Sequence, residues 1–443
     1  MADQRKPLFD AIIIGSGPGG AAVARELSQN NWKVLVLEWG SGDPLRGTIP
    51  QAASMILTPG KGMLFTYKGL SMVRGIVKGG SSVFYYSTAF DPPHDMLKKH
   101  GMDVRAEVAE IRSELPIAPL SDELMGPMAK RLMKSAQDLG YSWKKLDKYV
   151  FQDLCRKDCD KCNLGCPYGA KWTARNWIDE SVKNGATFVP NARVRYVLQS
   201  GNKAEGVVFT RNGKEMRAYA PVVILAAGGI GTPVILRASG IAKAGYDYFF
   251  DPLICVWGEV SDMNGGREFP MASGVHMEDE GYLMTDMTIP KTLYQAFAAE
   301  VMRFDRLHVH SRTLSIMVKA KDSLGGALTD SGGVRKRLAD YDQAKLMKGY
   351  ERAKGILKNA GAKNIFKSWY IAAHPGGTAK VGDVVDSNLE TEIKNLYVCD
   401  CAAIPEAWGL PPSLTLLAMG KQLGRKLAVK HNKGRVETKV QAA

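Results

Sequence analysis

Residues 10–38 read DAIIIGSGPGGAAVARELSQNNWKVLVLE, and the fold follows from this stretch. A short apolar run from Asp10 to Ile14 breaks into Gly15-Ser16-Gly17-Pro18-Gly19-Gly20. Ala21, Val23, Ala24 and Leu27 then recur at helical spacing, and Lys33 to Leu37 reads as a second strand closing on Glu38. Strand, glycine turn, helix, strand and acid is the order a dinucleotide site needs. In that reading Gly15 permits the tight turn, Gly17 lets a pyrophosphate approach the backbone, and Gly20 lets helix pack on strand. The phosphates are expected at the positive helix end, with Glu38 accepting from ribose hydroxyls. The motif predicts an α/β chain built on a parallel sheet and leaves FAD and NAD both open.

The rest of the chain sets the scale. Its 443 residues give room for two or three domains, or for one large domain with an insert. Apolar residues make up 45% and charged residues 23%, an ordinary globular composition. The net charge is +14, but the lysines and arginines are spread along the chain, with no basic helix interleaved with aromatics. A solvated basic surface is therefore expected and nucleic acid is not, and an acidic protein partner is the second reading. The longest uncharged run, Ala218 to Leu236, is broken by Pro221, Gly228, Gly229, Gly231 and Pro233, so no membrane span is predicted. The start, MADQRKPLFDAIIIG, lacks a charged-then-apolar signal, and the expected location is cytoplasmic.

Four of the seven cysteines crowd into FQDLCRKDCDKCNLGCPYGAK, residues 151–171. Cys155, Cys159, Cys162 and Cys166 follow a C-x3-C-x2-C-x3-C-P pattern. Structural zinc sites usually pair two short knuckles across a longer spacer, whereas one compact run ending in Cys-Pro is closer to iron–sulfur ligation. Only Cys255, Cys399 and Cys401 remain, too few for a second set of four, so one 4Fe–4S cluster is the economical reading. Zinc stays as the alternative, and a disulfide role is disfavoured by the expected compartment.

Three further segments carry a resemblance. Gly79-Gly80-Ser81-Ser82 follows Arg74-Gly75 and Val77; VVILAAGGIGTPVIL spans residues 222–236. The last quarter holds HPGGTAKVG at 374–382, NLYVCDCAAIP at 395–405 and PSLTLLAMGKQLG at 412–424. In this order they resemble the glucose–methanol–choline (GMC) family of FAD oxidoreductases, and GCPYGAK after the cysteines resembles the branch that carries a cluster beside its flavin. The resemblance implies an FAD-binding, Rossmann-like parallel-sheet domain with an inserted substrate domain on an antiparallel sheet. It places Gly80 and Ser81 against the flavin, Val194 with its backbone at the adenine, and Asp400 and Thr415 at the cofactor. It makes His374 the active-site histidine. A neutral imidazole near pH 7 suits removal of a hydroxyl proton while hydride leaves for flavin. One departure stands out: Pro411 occupies the position where the family places a second histidine or an asparagine, and proline offers no side-chain hydrogen bond. Tyr85 and His276 are candidates to supply the missing contact.

The expected organisation is a discontinuous cofactor domain (1–95, 150–245 and 370–443), a helical cap segment (96–149) and a substrate domain (246–369). A helix is predicted from an N-cap at Asp342 to Gly361. The functional expectation is an FAD-dependent dehydrogenase of a CH–OH group in a small, lipophilic or cyclic substrate. Electrons then leave through the cluster to a protein acceptor. Two alternatives stay open: flavin-dependent C–C dehydrogenation or reduction of a cyclic compound, and an electron-transfer flavoprotein subunit with structural zinc in the cysteine loop.

Overall fold

The computed structural model describes residues 8–67 and 69–441, so the first seven residues of the N-terminal segment read above lie outside it. Five parallel strands make the first sheet, in the spatial order Leu396–Val398, Val222–Leu225, Ala11–Ile14, Val34–Leu37, Thr187–Val189. All five are short, and four are apolar and buried at every position, as parallel strands covered on both faces must be. The helix Pro18–Gln29 and the C-terminal helix Ser413–Gln441 cover one face. They approach closely because Gly420 lies against Ala22 and the Gly19 carbonyl, where a Cβ would be 2.6 Å from each. An antiparallel meander, Arg193–Ser200, Lys203–Arg211 and Lys214–Tyr219, packs on the same core through Val194, Val197, Val207 and Phe209.

The strand Ala11–Ile14 has Val34–Leu37 on one side and Val222–Leu225 on the other. Its neighbours are thus reached by connections running in opposite directions. A crevice opens at the carboxyl ends of strands at such a switch point, and ligands bind there.

The second sheet is larger and mainly antiparallel, with nine strands. Its centre is Pro252–Glu259 paired with Thr313–Ala320, followed by Tyr282–Asp286 and Ser273–Met277. Strands Met63–Phe65, Ser71–Val73 and Lys144–Lys145, from outside residues 246–369, also join it. Side chains alternate across this sheet. Ile254, Val256, Ile316 and Val318 face Leu346, Ala353, Ile356 and Leu357 of the long helix Asp340–Asn359. Leu253, Cys255, Trp257 and Met317 face the other way into a separate apolar cluster. The long helix begins two residues before the expected cap. Ala339 occupies the N-cap, and Asp342 lies in the first turn, accepting from Ser323 N. Among the described residues no helix is long and apolar enough to cross a membrane.

Candidate active site

The glycine turn is wired for an anion. Gly15 has φ +99°, and a Cβ there would lie 2.2 Å from the Ala226 carbonyl oxygen. At Gly20 a Cβ would meet the Gly15 carbonyl at 2.2 Å, whereas at Gly17 it would meet nothing within 4 Å. Gly17 is the N-cap of the first helix, with no side-chain cap and no acid in the first turn. The positive helix end therefore faces open space, a cradle that fits a pyrophosphate. Ser16 Oγ donates to Glu38 Oε2 (2.6 Å) and accepts from Gly79 N (3.0 Å), joining the turn, the acid and the Gly79–Ser82 loop. Glu38 also accepts from Ser16 N and Gly40 N, and burial raises its carboxyl above the ordinary value.

Positive charge collects next door. Arg193, Lys61 and Arg74 lie 4.4, 5.4 and 5.6 Å from the Trp39 ring, one residue past Glu38. Burial and the neighbouring Arg193 push Arg74 down to about 10. Among the described residues no carboxylate pairs with Arg74 or Arg193, so the cluster suits an anionic nucleotide. Val194 follows Arg193 in the strand that starts here, and Ala192 N donates to the Glu38 carbonyl.

The other expected cofactor residues fall around the same crevice. Gly80 (φ +56°) opens a 3-10 turn, and a Cβ there would be 3.0 Å from Gly17 Cα. Ser81 Oγ accepts from Gly75 N. Asp400 is buried and clamps two elements: its carboxylate accepts from Gly228 N, Thr232 Oγ1 and Ala402 N at 2.8, 2.5 and 2.7 Å. Its contacts are thus those of a cap on the helix Gly228–Ala238. Thr415, in the first turn of the terminal helix, keeps a buried hydroxyl with no hydrogen-bond partner. An unsatisfied buried donor is uncommon, and here it fits a ligand oxygen.

His374 follows the short strand Ile371–Ala372, and its backbone N–H is held by the Phe250 carbonyl. That places it beside Asp251, the residue before the strand Pro252–Glu259. Its Nδ1 lies 2.9 Å from Lys319 Nζ and 3.3 Å from Asp251 Oδ2, and Lys319 Nζ donates to Asp251 Oδ2 at 3.0 Å. Lys319 and Asp251 are 2% exposed, but the His374 side chain is 29% exposed. The ring therefore turns Nδ1 to a buried ion pair and its opposite edge to the open side. Burial first, then the Lys319 ammonium, lowers the imidazole below its ordinary value. Lys319 holds Asp251 low, and burial lowers Lys319 itself.

Neither Lys319 nor Asp251 was expected from the sequence. A signal existed: Lys319 is in phase with Ser315 and Met317 on the apolar face of its strand and sits directly across from Leu253 and Leu283. A lysine in an apolar row needs a buried partner. Of the two named substitutes for the Pro411 position, His276 lies in the cross-strand row of Lys319, beyond Leu283, and Tyr85 is engaged by backbone. Tyr85 donates to the Trp172 carbonyl, and His276 is half-buried on Ser273–Met277, lowered by burial. Gly409 packs on the backbone of Lys321, so the Gly409–Pro411 loop runs beside the strand that carries Lys319.

The four loop cysteines line one small cavity, together with Arg156, Tyr168, Lys171 and Phe269. Gly165 (φ +94°) and Cys166 (φ +48°) coil the chain tightly around it. Burial pushes the Cys155 thiol up to about 11 and Cys162 up to about 12. Buried Lys171 straps the loop to the segment after the Gly79–Ser82 loop, donating to the carbonyls of Cys162, Val83 and Tyr85. Among the described residues no group of three or more His, Cys, Asp or Glu side chains is arranged to hold a metal ion.

Comparison with known proteins bears on the family and the fold. The N-terminal model described as GMC oxidoreductase matches residues 52–253, and its C-terminal counterpart matches 334–420. An uncharacterized protein of Methanocaldococcus jannaschii is 28% identical, covering 95% of this chain and 100% of the relative. The long-chain-alcohol oxidase FAO3 of Arabidopsis thaliana is 22% identical over 95% of this chain and 68% of its own length. Among solved structures, pyridoxine 4-oxidase from Mesorbium loti superposes with TM-score 0.73 at 16% identity, covering 94% of this chain and 99% of that one. A formate oxidase superposes with TM-score 0.75 at 16% identity, covering 96% and 99%.

Proposed function

The chain belongs to the GMC oxidoreductase family, and from that premise we propose that it is an FAD-dependent dehydrogenase oxidising a CH–OH group of a small lipophilic or cyclic substrate. The observation that carries this reading is His374. Its half-open imidazole lies at the end of an apolar sheet face, and burial favours its neutral form. Bound FAD supplies the hydride acceptor. His374 holds the substrate oxygen and takes the hydroxyl proton at Nε2. Leu253, Ala373 and Leu410, with Tyr86 and Phe90, offer an apolar wall that excludes water and suits a hydrocarbon substituent. Gly15, Gly17, Gly20, Gly80, Ser81, Val194 and Thr415 would hold the cofactor, with Glu38 and Asp400 bracing its two flanks. Residues 1–95, 150–245 and 370–443 then mainly serve the cofactor, 96–149 the cap and 246–369 the substrate, with Met63–Phe65, Ser71–Val73, Lys144–Lys145 and Ile371–Ala372 adding strands to the substrate sheet.

The reading also puts a 4Fe–4S cluster on Cys155, Cys159, Cys162 and Cys166, passing single electrons to a protein acceptor in the cytoplasm. A single zinc needs four sulfurs about 2.3 Å from one centre. All four thiols line one small cavity, which supports a shared occupant, and Arg156 and Lys171 at its wall would offset thiolate charge. Four free thiols suit a reducing compartment.

Anaerobic stopped-flow with primary and secondary alcohols tests the first part: bleaching of the flavin band is expected, and bleaching only by cyclic ketones that carry no hydroxyl would replace it with C–C dehydrogenation. Iron and sulfide analysis with EPR of dithionite-reduced protein tests the second. About four iron and four sulfide per chain are expected, and Cys162→Ser should abolish the signal while flavin reduction by substrate persists. One zinc per chain with no EPR signal would overturn the cluster.

A further inference from the structure

We infer that Lys319 is the proton store of the active site: it accepts the Nδ1 proton of His374 as Nε2 takes the proton of the substrate hydroxyl. The inference rests on the proposed CH–OH oxidation and adds a residue to it.

The geometry requires a choice of tautomer. Nζ of Lys319 and Nδ1 of His374 are 2.9 Å apart, a hydrogen bond in which one nitrogen donates and the other accepts. If Lys319 is an ammonium, it donates to Nδ1, the neutral ring carries its proton on Nε2, and the substrate meets a donor. If Lys319 is a neutral amine, Nδ1–H donates to Nζ and Nε2 is bare. Only the second state can act as a base at Nε2. The charge on a buried lysine therefore decides whether the exposed edge of His374 gives or takes a proton.

The surroundings can hold either state. Asp251 Oδ2 accepts from Lys319 and stabilises the ammonium after transfer. Asp251 Oδ1 is buried with no hydrogen-bond partner, so the carboxylate is not saturated by the fold. The other charged and titratable groups facing the pair are Asp322, Lys336, Cys401 and half-buried His276. Asp322 and Lys336 form their own buried pair at 2.7 Å. With that pair internally neutral, one mobile proton is shared between Lys319 and His374. Lys319 is screened from bulk water by the sheet, so the proton it takes from His374 has a defined resting place.

The step balances. The substrate C–H bond breaks and its electron pair leaves as hydride to the flavin of the proposed reaction. The O–H proton goes to Nε2, the Nδ1 proton goes to Nζ, and a carbonyl product remains beside a neutral imidazole and a Lys319–Asp251 ion pair. The Pro411 position, which cannot contribute a side-chain hydrogen bond, then needs no replacement at the substrate oxygen: the second proton-handling group lies behind His374.

Two substitutions separate this role from structural support. Lys319→Arg keeps the charge and the bond to Asp251 but cannot lose its proton. Lys319→Met removes the charge, leaving Asp251 Oδ2 to accept from Nδ1–H and Nε2 bare. The expected order of flavin-reduction rates at pH 8 is wild type, then Lys319→Met, then Lys319→Arg at least about tenfold below Lys319→Met. A purely supporting lysine gives the reverse order of the two variants, and that result overturns the inference. The second readout needs no turnover. Histidine 15N NMR of the wild-type holoenzyme, assigned with His374→Gln, should show the His374 proton moving from Nε2 to Nδ1 as pH rises from 6 to 10. An unchanged Nε2–H tautomer across that range overturns the inference even if both variants lose flavin. If alcohols fail to reduce the wild-type flavin while the tautomer still switches, the substrate assignment fails and the proton store stands.

Discussion

The nucleotide fork and the catalytic corner meet at one crevice but are built by opposite rules. At the fork the turn and its acid lie close in sequence: Ser16 and Glu38 are 22 residues apart, and the glycines act by having no side chain, with Gly79 and Ala226 brought in from further along the chain. At the corner the contacts are side chain to side chain over long separations: 55 residues from Lys319 to His374, 68 to Asp251, and 123 from His374 to Asp251. A fork of this kind tolerates change everywhere except at positions where backbone must pass close to backbone. A corner of this kind depends on the register of a whole sheet, because a one-residue slip of Thr313–Ala320 would send Lys319 to the opposite face.

The contrast predicts that chemistry and binding separate. His374→Ala should slow flavin reduction by substrate by about 10²–10⁴-fold, with flavin content unchanged, because no fork residue bonds to the imidazole. Stopped-flow absorbance reads the rate and the protein-bound flavin spectrum reads the content. An unchanged rate would remove His374 from the mechanism. Loss of flavin would show that fork and corner are one unit.

Gly15→Ala addresses the other region. The left-handed φ costs roughly 1–3 kcal/mol for any side chain, and the new Cβ would also press on the Ala226 carbonyl at 2.2 Å. Flavin affinity should fall by about tenfold or more, measured by fluorescence titration of the apoprotein, while the rate of reduction in flavin-saturated protein stays within about twofold. A large rate loss at saturation would mean that the turn also aims the flavin ring at His374.

How much was legible follows from the same contrast. The parallel sheet, the glycine turn and Glu38 are encoded within 29 consecutive residues, 10–38, so pattern and spacing suffice. The His374 turn and the Gly79–Ser82 loop were found through family resemblance, since their meaning lies in what they face. Lys319 and Asp251 carry no motif; they become partners only when Pro252–Glu259 pairs antiparallel with Thr313–Ala320 and Phe250 holds the His374 backbone. Asp400 shows the limit from the other direction: its place at a strand end was correct, yet its carboxylate is taken up by Gly228, Thr232 and Ala402. The boundary at Asp342 shifted because Asp342 bonds to the Ser323 backbone from within the first turn instead of capping the helix.

A third contact tests whether long-range assembly matters at a helix end. Glu268 is 5% exposed, and its two carboxylate oxygens accept from Met128 N and Ala129 N at the start of the helix Pro127–Asp138, some 140 residues away. Burial raises its carboxyl to about 7, outweighing those two hydrogen bonds. The folded value lies above the unfolded one, so the native state binds the extra proton between them. Stability should therefore decline as pH rises from about 4.5 to about 7 and then level off, by at most about 3–4 kcal/mol. Glu268→Gln keeps one acceptor oxygen at the helix end and removes the titration. Urea unfolding at pH 5 and pH 8 should show a smaller difference between the two conditions in the variant than in the wild type. Equal pH dependence in both would mean that Glu268 stays ionised in the fold. The helix end, like the nucleotide turn, would then be holding a full negative charge, and the distinction between local and assembled anion sites would narrow to how the sequence encodes them.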